Sequence, residues 1–407
     1  MHVIYIHQHF GTPQAPDATR SYEMSRALLR AGHRVSMICG LSERNANVLN
    51  HDQRVSETLV DGIRVYCIAA QYASRMNFYQ RLWSFANFAL TAGKVAGGLD
   101  GDLVFATSTP LTVGIPGMWA ARKLRVPFVF EVRDLWPELA VAVGVLKNPV
   151  LIWCARQLEL KTYRSADRII ALSPGMREGI IKAGYPAERV TMIPNGCDLD
   201  LFRPSNEPLN DQRFGAPDDF RLVFTGAHGI ANGLHAVLDA AAELKRRGVR
   251  GVRFVFIGHG QLKPQLMARS RAEGLDELVS WVDPIPKSEL AQILPRLDVG
   301  MMILKNVPAF YYGTSPNKFF DYLACGLPVL NNYPGWLADM IGQHKIGRAV
   351  PPDDPRAFAE AVIWLREHPE ERAAMGQRAR ALGEAEFSRA RLSGDFVKAL
   401  EGVAAGR

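Results

Sequence analysis

Lys318 and Asp321 stand three residues apart in "TSPNKFFDYLACG" (314–326), a spacing that puts both on one face of a helix. An ammonium and a carboxylate so placed suit a ligand with an anionic end and a hydroxyl-bearing end. The lysine would receive a phosphate and the carboxylate two O–H groups. Ser315-Pro316-Asn317 has the composition of a helix start, with Ser315 as cap and Pro316 in the first turn, and a helix N-terminus itself favours an anion. The same pair is equally what a solvated ion pair on a connecting helix looks like. A second cluster, Glu131, Arg133, Asp134 and Glu138 in "EVRDLWPE" (131–138), gathers carboxylates and a guanidinium at the end of an apolar run. A third, "GAHGIANG" (226–233), sets Gly226, Gly229 and Gly233 after another such run. Glycines there let the backbone approach a ligand, with amides at 232–234 facing an anion. Their GxxGxxxG spacing is not that of a dinucleotide fingerprint, and no acidic residue ends the next apolar run, so a nicotinamide enzyme is disfavoured. His7 and His9 alternate at i, i+2, but no third ligand accompanies them and no metal is expected.

Such residues need a frame. Short apolar runs alternate with amphipathic stretches: "HVIYI" (2–6), "RVSMIC" (34–39), "IRVYCIA" (63–69), "DLVFAT" (102–107), "PFVFEV" (127–132), "RIIALS" (168–173) and "VTMIPN" (190–195) predict strands, with helices over 19–31, 78–97, 111–124 and 150–166. Runs apolar on both faces and separated by helices indicate a parallel sheet covered on both sides. Residues 196–220, rich in Pro, Gly, Asp and Asn, read as a linker. Alternation then restarts with strands at 221–226, 253–258, 279–283, 299–304 and 328–332. The expectation is α/β, two doubly wound domains over 1–200 and 201–386, with ligands at the carboxyl ends of the strands in a cleft between facing domains.

At 407 residues, 48% hydrophobic and 22% charged, the chain is a globular protein too long for one ordinary core. Five scattered cysteines with no CxxC pair fit a reducing cytosol. "MHVIYIHQHF" reads as a strand rather than a leader. No apolar run reaches the ~18–20 residues of a bilayer span. The net charge is +7, and residues 1–200 hold 22 Lys and Arg against 17 Asp and Glu. Basicity in the first half suits anionic lipid or an anionic substrate; no nucleic-acid reader motif accompanies it.

Residues 76–94, "MNFYQRLWSFANFALTAGK", form the most unusual helix. Phe78, Leu82, Phe85 and Phe88–Ala89 recur at helical spacing beside Tyr79 and Trp83, with Arg75, Arg81 and Lys94 around them. A bilayer interface and a core helix of the first domain both account for that pattern.

Four segments in order resemble the retaining GT-B glycosyltransferases of family 4, in the subgroup that makes O-antigen, capsule and exopolysaccharide units. They are "RSYEMSRALLRAGHRVSMICG" (20–40), "VRDLWPE" (132–138), "ALSPGMREGIIKAGYPAERVTMIPNGCDLDLF" (171–202) and "TSPNKFFDYLACGLPVL" (314–330). The resemblance implies two facing Rossmann-like domains with an interdomain cleft, and a last helix, about 387–407, packed back on the first. It implies a nucleotide-sugar donor, with uridine the usual base, and a glycan or polyprenyl-diphosphate-linked acceptor. It further implies a cytoplasmic setting with peripheral contact to anionic membrane, and no cofactor or metal.

Residue by residue, Asp321 falls on the second of the family's two motif glutamates and is assigned the ribose hydroxyls. Gly313 stands at the first, so backbone near Thr314 and Ser315 would meet the donor sugar instead. Asn232 replaces an expected phosphate-binding lysine. That leaves Lys318, the amides of Asn232–Leu234 and His228 as candidates for the diphosphate. Gly229, Gly233, Gly258 and Gly260 would let backbone pass close to the donor, Ile285 would line the base pocket, and Gly11 and Thr12 would lie near the phosphate. Arg133 stands where related enzymes have histidine and would orient and stabilise charge; Asp134 would align the acceptor hydroxyl; His9, Arg20 and Glu131 would border the acceptor. Gly313 and Asn232 also keep open a non-catalytic sugar-nucleotide-binding subunit, alongside an epimerase or hydrolase on the same scaffold.

Overall fold

The computed structural model describes residues 1–13, 19–42, 53–72, 78–205 and 207–406. The chain divides into two units, Met1–Pro194 with Gly313–Ser315 and Ala390–Arg407, and Asn195–Tyr312 with Pro316–Arg389. The first contains β1 (His2–Ile6), β2 (Arg34–Ser42), β3 (Val55–Val60), β4 (Ile63–Tyr72), β5 (Leu103–Thr107), β6 (Phe128–Val132), β7 (Arg168–Ala171) and β8 (Val190–Met192). They lie in the order β3-β4-β2-β1-β5-β6-β7-β8. All pairs are parallel except β3 with β4. The antiparallel β3 is absent from the sequence reading. It is a half-exposed edge strand, turned back at Asp61-Gly62, both with positive φ, the geometry of a two-residue hairpin.

The second unit contains β9 (Phe220–Thr225), β10 (Val252–Ile257), β11 (Val279–Val282), β12 (Val299–Met302), β13 (Val329–Asn331) and β14 (Gly347–Ala349). Its order, β11-β10-β9-β12-β13-β14, is wholly parallel. Numbered along this unit it runs 3-2-1-4-5-6, the Rossmann order, which reverses between β9 and β12. The first unit, with β3 set aside, reverses likewise between β1 and β5. Both are the doubly wound α/β sheets expected, and such reversals open a crevice at the strands' carboxyl ends.

Residues 196–220 are not a free linker. Cys197, Phe202, Leu209 and Phe214 are buried in the second unit's core; the polar composition hid four well-spaced anchors. The C-terminal stretch forms two helices, Pro369–Glu386 and Arg389–Ala405. Phe396 of the last lies against Tyr5 and Phe105 in the first unit's core, with ring centroids 6.5 and 5.0 Å away.

Candidate functional site

In the second unit the helix Asn317–Cys325 carries the chemistry. Pro316 is its N-cap, in extended conformation and without a side-chain cap bond. Ser315 is therefore not the cap: the proline fixes the entry one residue later than the serine-first reading. Gly326 ends the helix in the left-handed conformation, φ 70°. What sets the helix on the sheet is Tyr322. Its hydroxyl donates to the Val223 carbonyl at 3.1 Å and accepts from the Thr225 amide at 3.2 Å. Its ring occupies the space that any side chain at Gly300 of β12 would need. The helix is thus pinned across the β9/β12 reversal, and Lys318 and Asp321 come with it. Tyr322→Phe leaves a buried N–H and C=O unpaired, and the expected loss of about 1–3 kcal/mol is measurable by denaturant unfolding.

Lys318 reaches over the end of β9. Its Nζ is 3.4 Å from the centroid of the Phe224 ring. A Cβ at Gly226, whose φ is +122°, would come within 3.3 Å of it. Burial pushes the ammonium down to about 7, and no nearby charge opposes the effect. Asp321 is 8% exposed, and none of the described residues donates a hydrogen bond to its carboxylate. The nearest cation is Lys287, Nζ at 3.9 Å. Lys287 is shared with Asp198 at 3.8 Å, which Arg389 in turn holds at 2.8 Å. Burial raises the Asp321 carboxyl above its ordinary range, while Lys287 and Arg389 partly offset that. Lys287 was missed: in "PIPKSEL" it reads only as a helix start, and nothing local points it at residue 321.

The loops after β9 and β10 pack backbone to backbone. A side chain at Gly258 would collide with Gly226, and one at Gly260 with the His228 carbonyl. Their first duty is this close approach. The His228 amide donates to the His259 carbonyl at 2.9 Å, and the Leu262 amide to that of His228 at 3.0 Å. Gly229 borders open space, whereas Gly233, φ +55°, lies on the Lys305 backbone. The amides at 232 and 233 are not free for an anion. They close a 3-10 turn onto Gly229 and Ile230, at 3.2 and 3.4 Å, and the Asn232 side chain donates to the Ala227 carbonyl at 2.6 Å. The following helix, His235–Arg246, starts at Leu234. His228 is neither solvated nor carbonyl-bonded. It is fully buried among Phe224, Phe256 and Trp281, with no hydrogen-bond partner on either nitrogen among the described residues. Burial, helped by Lys263 and Lys318, pushes its pKa down to about 4 and keeps it neutral. Ile285 packs half-buried on the second unit's core. Ser315 is buried, and the Thr314 hydroxyl is buried without a hydrogen-bond partner among the described residues.

In the first unit the ends of β1, β5 and β6 meet. Glu131, fully buried, accepts from Arg20 Nε and Nη2 at 3.0 and 2.7 Å and from Thr107 Oγ1 at 2.7 Å. Arg20 also donates to the Pro194 and Ile193 carbonyls, both at 2.9 Å. Burial alone would raise the Glu131 carboxyl, but Arg20, Arg133 and Thr107 outweigh it and hold the group below the usual range. The pair thus spends itself inside the fold, tying the helix Arg20–Arg30 to β6. Beside it, Arg133 Nη1 lies 3.3 Å from His7 Nε2, and His7 Nδ1 lies 2.8 Å from Ser21 Oγ. Arginine only donates, so Nε2 accepts and the imidazole proton points at Ser21. Burial, then the Arg133 charge, keeps His7 neutral.

Both His7 nitrogens serve Arg133 and Ser21, which leaves neither for a metal. His9 stands with its ring centroid 6.4 Å away. Among the described residues no group of three or more His, Cys, Asp or Glu side chains is placed to hold a metal ion. Asp134 follows Arg133, and burial raises its carboxyl to about 6 against the opposing Arg133 charge. Gly11 is buried, and the buried side chains of Thr12 and Gln8 have no hydrogen-bond partner among the described residues. Gln8 escaped the sequence reading, being one polar residue among several. Glu138 only opens a short exposed helix.

Residues 18–196 match the family model of the glycosyl transferase 4-like domain, and residues 219–368 that of the glycosyl transferases group 1. D-rhamnosyltransferase WbpZ of Pseudomonas aeruginosa is 29% identical over 243 residues, covering 58% of this chain and 60% of that protein. The chain therefore spans about three fifths of the length of that relative. A GDP-mannose-dependent alpha-mannosyltransferase of Mycobacterium tuberculosis is 28% identical over 333 residues, 81% of this chain and 80% of that protein. Among solved structures, Anabaena Alr3699/HepE in complex with UDP superposes with a TM-score of 0.70 at 17% identity, over 99% of this chain and 100% of that one. With the two family models following one another along its two parallel sheets, the chain belongs to the GT-B glycosyltransferases of family 4.

Proposed function

We propose that the chain moves a sugar, with retention of configuration, from a uridine-diphosphate sugar to a hydroxyl of a glycan or polyprenyl-diphosphate-linked sugar in the synthesis of a cell-surface polysaccharide. The observation that carries this is the pair on the 317–325 helix. An ammonium and a carboxylate sit one turn apart at the reversal of a Rossmann sheet, the first with no counter-charge and the second with no hydrogen-bond donor among the described residues. Lys318 receives the diphosphate, whose negative charge grows as the glycosidic bond breaks. Asp321 accepts from the ribose hydroxyls, its oxygens kept in place by Lys287. The glycine loops after β9 and β10 bring backbone close to the donor, and Thr314 supplies an uncommitted hydroxyl. In the first unit Arg133, held by His7, and Asp134 receive the acceptor. Glu131 and Arg20 act behind them as positioning residues. The UDP complex of a protein with this fold supports uridine; the mannosyltransferase relative makes guanosine the base to test against it.

A thermal-shift panel of nucleotide sugars tests the reading. A ligand at ~100 times its Kd stabilises the native state by about 2.7 kcal/mol. UDP-sugars are expected to raise the melting temperature, and radiolabelled sugar to pass to a lipid-linked acceptor. Donor hydrolysis with no glycosylated product would overturn the transfer; a shift with GDP-sugars alone would overturn the base.

The two perturbed groups also set a pH profile. Asp134 must be ionised to accept the acceptor's O–H, so kcat/KM falls as pH drops through about 6. Lys318 must be protonated to receive the diphosphate, so kcat/KM falls again as pH rises through about 7. A narrow bell between those values is expected from initial rates. A flat profile across that range would remove both assignments.

A further inference from the structure

The aromatic helix of the first unit is a core helix on one side: Phe78–Ala96 buries Phe88, Ala89, Ala92 and Ala96. Residues 75–77 of that segment lie outside the described residues, and among the described residues no helix is long and apolar enough to cross a membrane. What the sugar chemistry leaves unexplained lies in the second unit, in the charges behind Asp321.

Two stretches far apart in sequence are fastened there backbone to backbone. The Cys197 amide donates to the Phe387 carbonyl at 2.7 Å, and the Arg389 amide donates to the Cys197 carbonyl at 2.9 Å. Cys197 and Ser388 form a parallel bridge. A Cβ at Gly383 would come within 2.9 Å of the Cys197 sulfur, so glycine there lets the stretches lie this close. The bridge sets Asp198 beside Arg389. The Asp198 carboxylate divides its two oxygens: Oδ1 accepts from the Leu201 amide at 3.3 Å, and Oδ2 from Arg389 Nη1 at 2.8 Å. Lys287 opens the helix Lys287–Ile293 and stands between this carboxylate and Asp321. Its Nζ is 3.8 Å from Asp198 Oδ2 and 3.9 Å from Asp321 Oδ1.

None of the four side chains is more than 20% exposed, so their charges act on one another with little screening by water. Two cations and two anions balance. One ammonium is nevertheless contested by two carboxylates at near-equal range, too far from either for a hydrogen bond. Arg389 decides the contest. Its guanidinium takes the same Asp198 oxygen that faces Lys287, which leaves the lysine's charge to Asp321. The Asp321 carboxyl responds to each member: burial raises it, Lys287 and then Arg389 lower it, and Asp198 raises it again.

We infer that Arg389 is a positioning residue for the donor: by occupying Asp198 it leaves Lys287 to hold the Asp321 carboxylate for the ribose hydroxyls. The inference rests on the ribose reading of Asp321 and adds to it a residue that acts through two others. Isothermal titration of the full chain with UDP tests it. Arg389→Met leaves Lys287 with a second unpaired carboxylate, and the Kd for UDP is expected to rise about tenfold. Asp198→Asn removes the competing charge but keeps the oxygen that accepts from Leu201. Alone it binds UDP at least as tightly as the parent; added to Arg389→Met it returns the Kd to within about twofold of the parent value. A role in packing alone predicts the opposite, because two changes at one bridge would each loosen it. A parent-like Kd for Arg389→Met, or a double variant as weak as that single one, overturns the inference. Should Arg389→Met not fold, Asp198→Asn decides by itself: weaker UDP binding than the parent's overturns it. Asp321→Ala in the same series separates the inference from the reading beneath it. Normal UDP binding by that variant removes both, whereas lost binding there beside a parent-like Arg389→Met removes the inference alone.

Discussion

Asp321→Ala abolishes most of the rise in melting temperature that UDP-sugars induce, with donor affinity falling by about a hundredfold. The carboxylate is buried, accepts nothing from the described protein, and lies within reach of Lys287 only at 3.9 Å. Two O–H groups of a ribose are the donors it lacks. Each hydrogen bond to a charged group is worth ~1.5–3 kcal/mol, and losing two gives ~10²-fold or more. The free protein is not expected to suffer in proportion. The folded carboxyl is held above its ordinary range, so at neutral pH its ionisation already opposes folding. Asp321→Asn, which keeps the volume, is expected to melt no lower than the parent while losing the donor. A variant that binds every donor normally would remove the ribose assignment; one that simply unfolds would be distinguished by its melt without ligand.

Lys318→Met separates catalysis from stability in opposite directions. Removing the group that meets charge on the leaving diphosphate is expected to cut kcat by ~10²–10³-fold. The same change relieves the free protein. Folding lowers the lysine from 10.5 to about 7, so between those values the unfolded chain keeps a proton that the folded one gives up. Parent stability therefore rises with pH across that window and carries the whole penalty below it. Methionine has no such proton, and its long apolar chain still covers the Phe224 ring. Chemical denaturation at about pH 6 and about pH 9 measures this: the parent gains stability between them relative to the variant, and the variant is the more stable at the lower pH. Equal slopes would show that Lys318 is solvated rather than held against the ring.

Part of this was legible in the residues. Lys318 and Asp321 share a helix face by spacing alone, and the alternation of apolar runs with amphipathic ones dictates two parallel sheets, because only buried strands are apolar on both sides. The parts that were not legible depend on partners distant in sequence. Lys287 approaches Asp321 from a different helix, 34 residues earlier in the chain. Gly300 is informative only once Tyr322 is known to lie on it. The amides of Asn232 and Gly233 looked available until the turn that consumes them was seen. His228, polar by type, is buried among three rings contributed by β9, β10 and β11. The stretch 196–220 shows how composition misleads: its abundant Pro, Asp and Asn signal a linker, while Phe202 and Phe214 decide that it packs. The strand β3 was lost because its outward side chains broke the apolar run, although the Asp61-Gly62 turn marked it.

The phosphate-and-ribose assignment on the 317–325 helix is tested most directly by the crystal structure of the chain soaked with UDP. The expected density places both ribose hydroxyls on the Asp321 carboxylate and the diphosphate on Lys318, above Gly226. Nucleotide bound elsewhere on the second unit, or in that crevice with its ribose turned from Asp321, would contradict it.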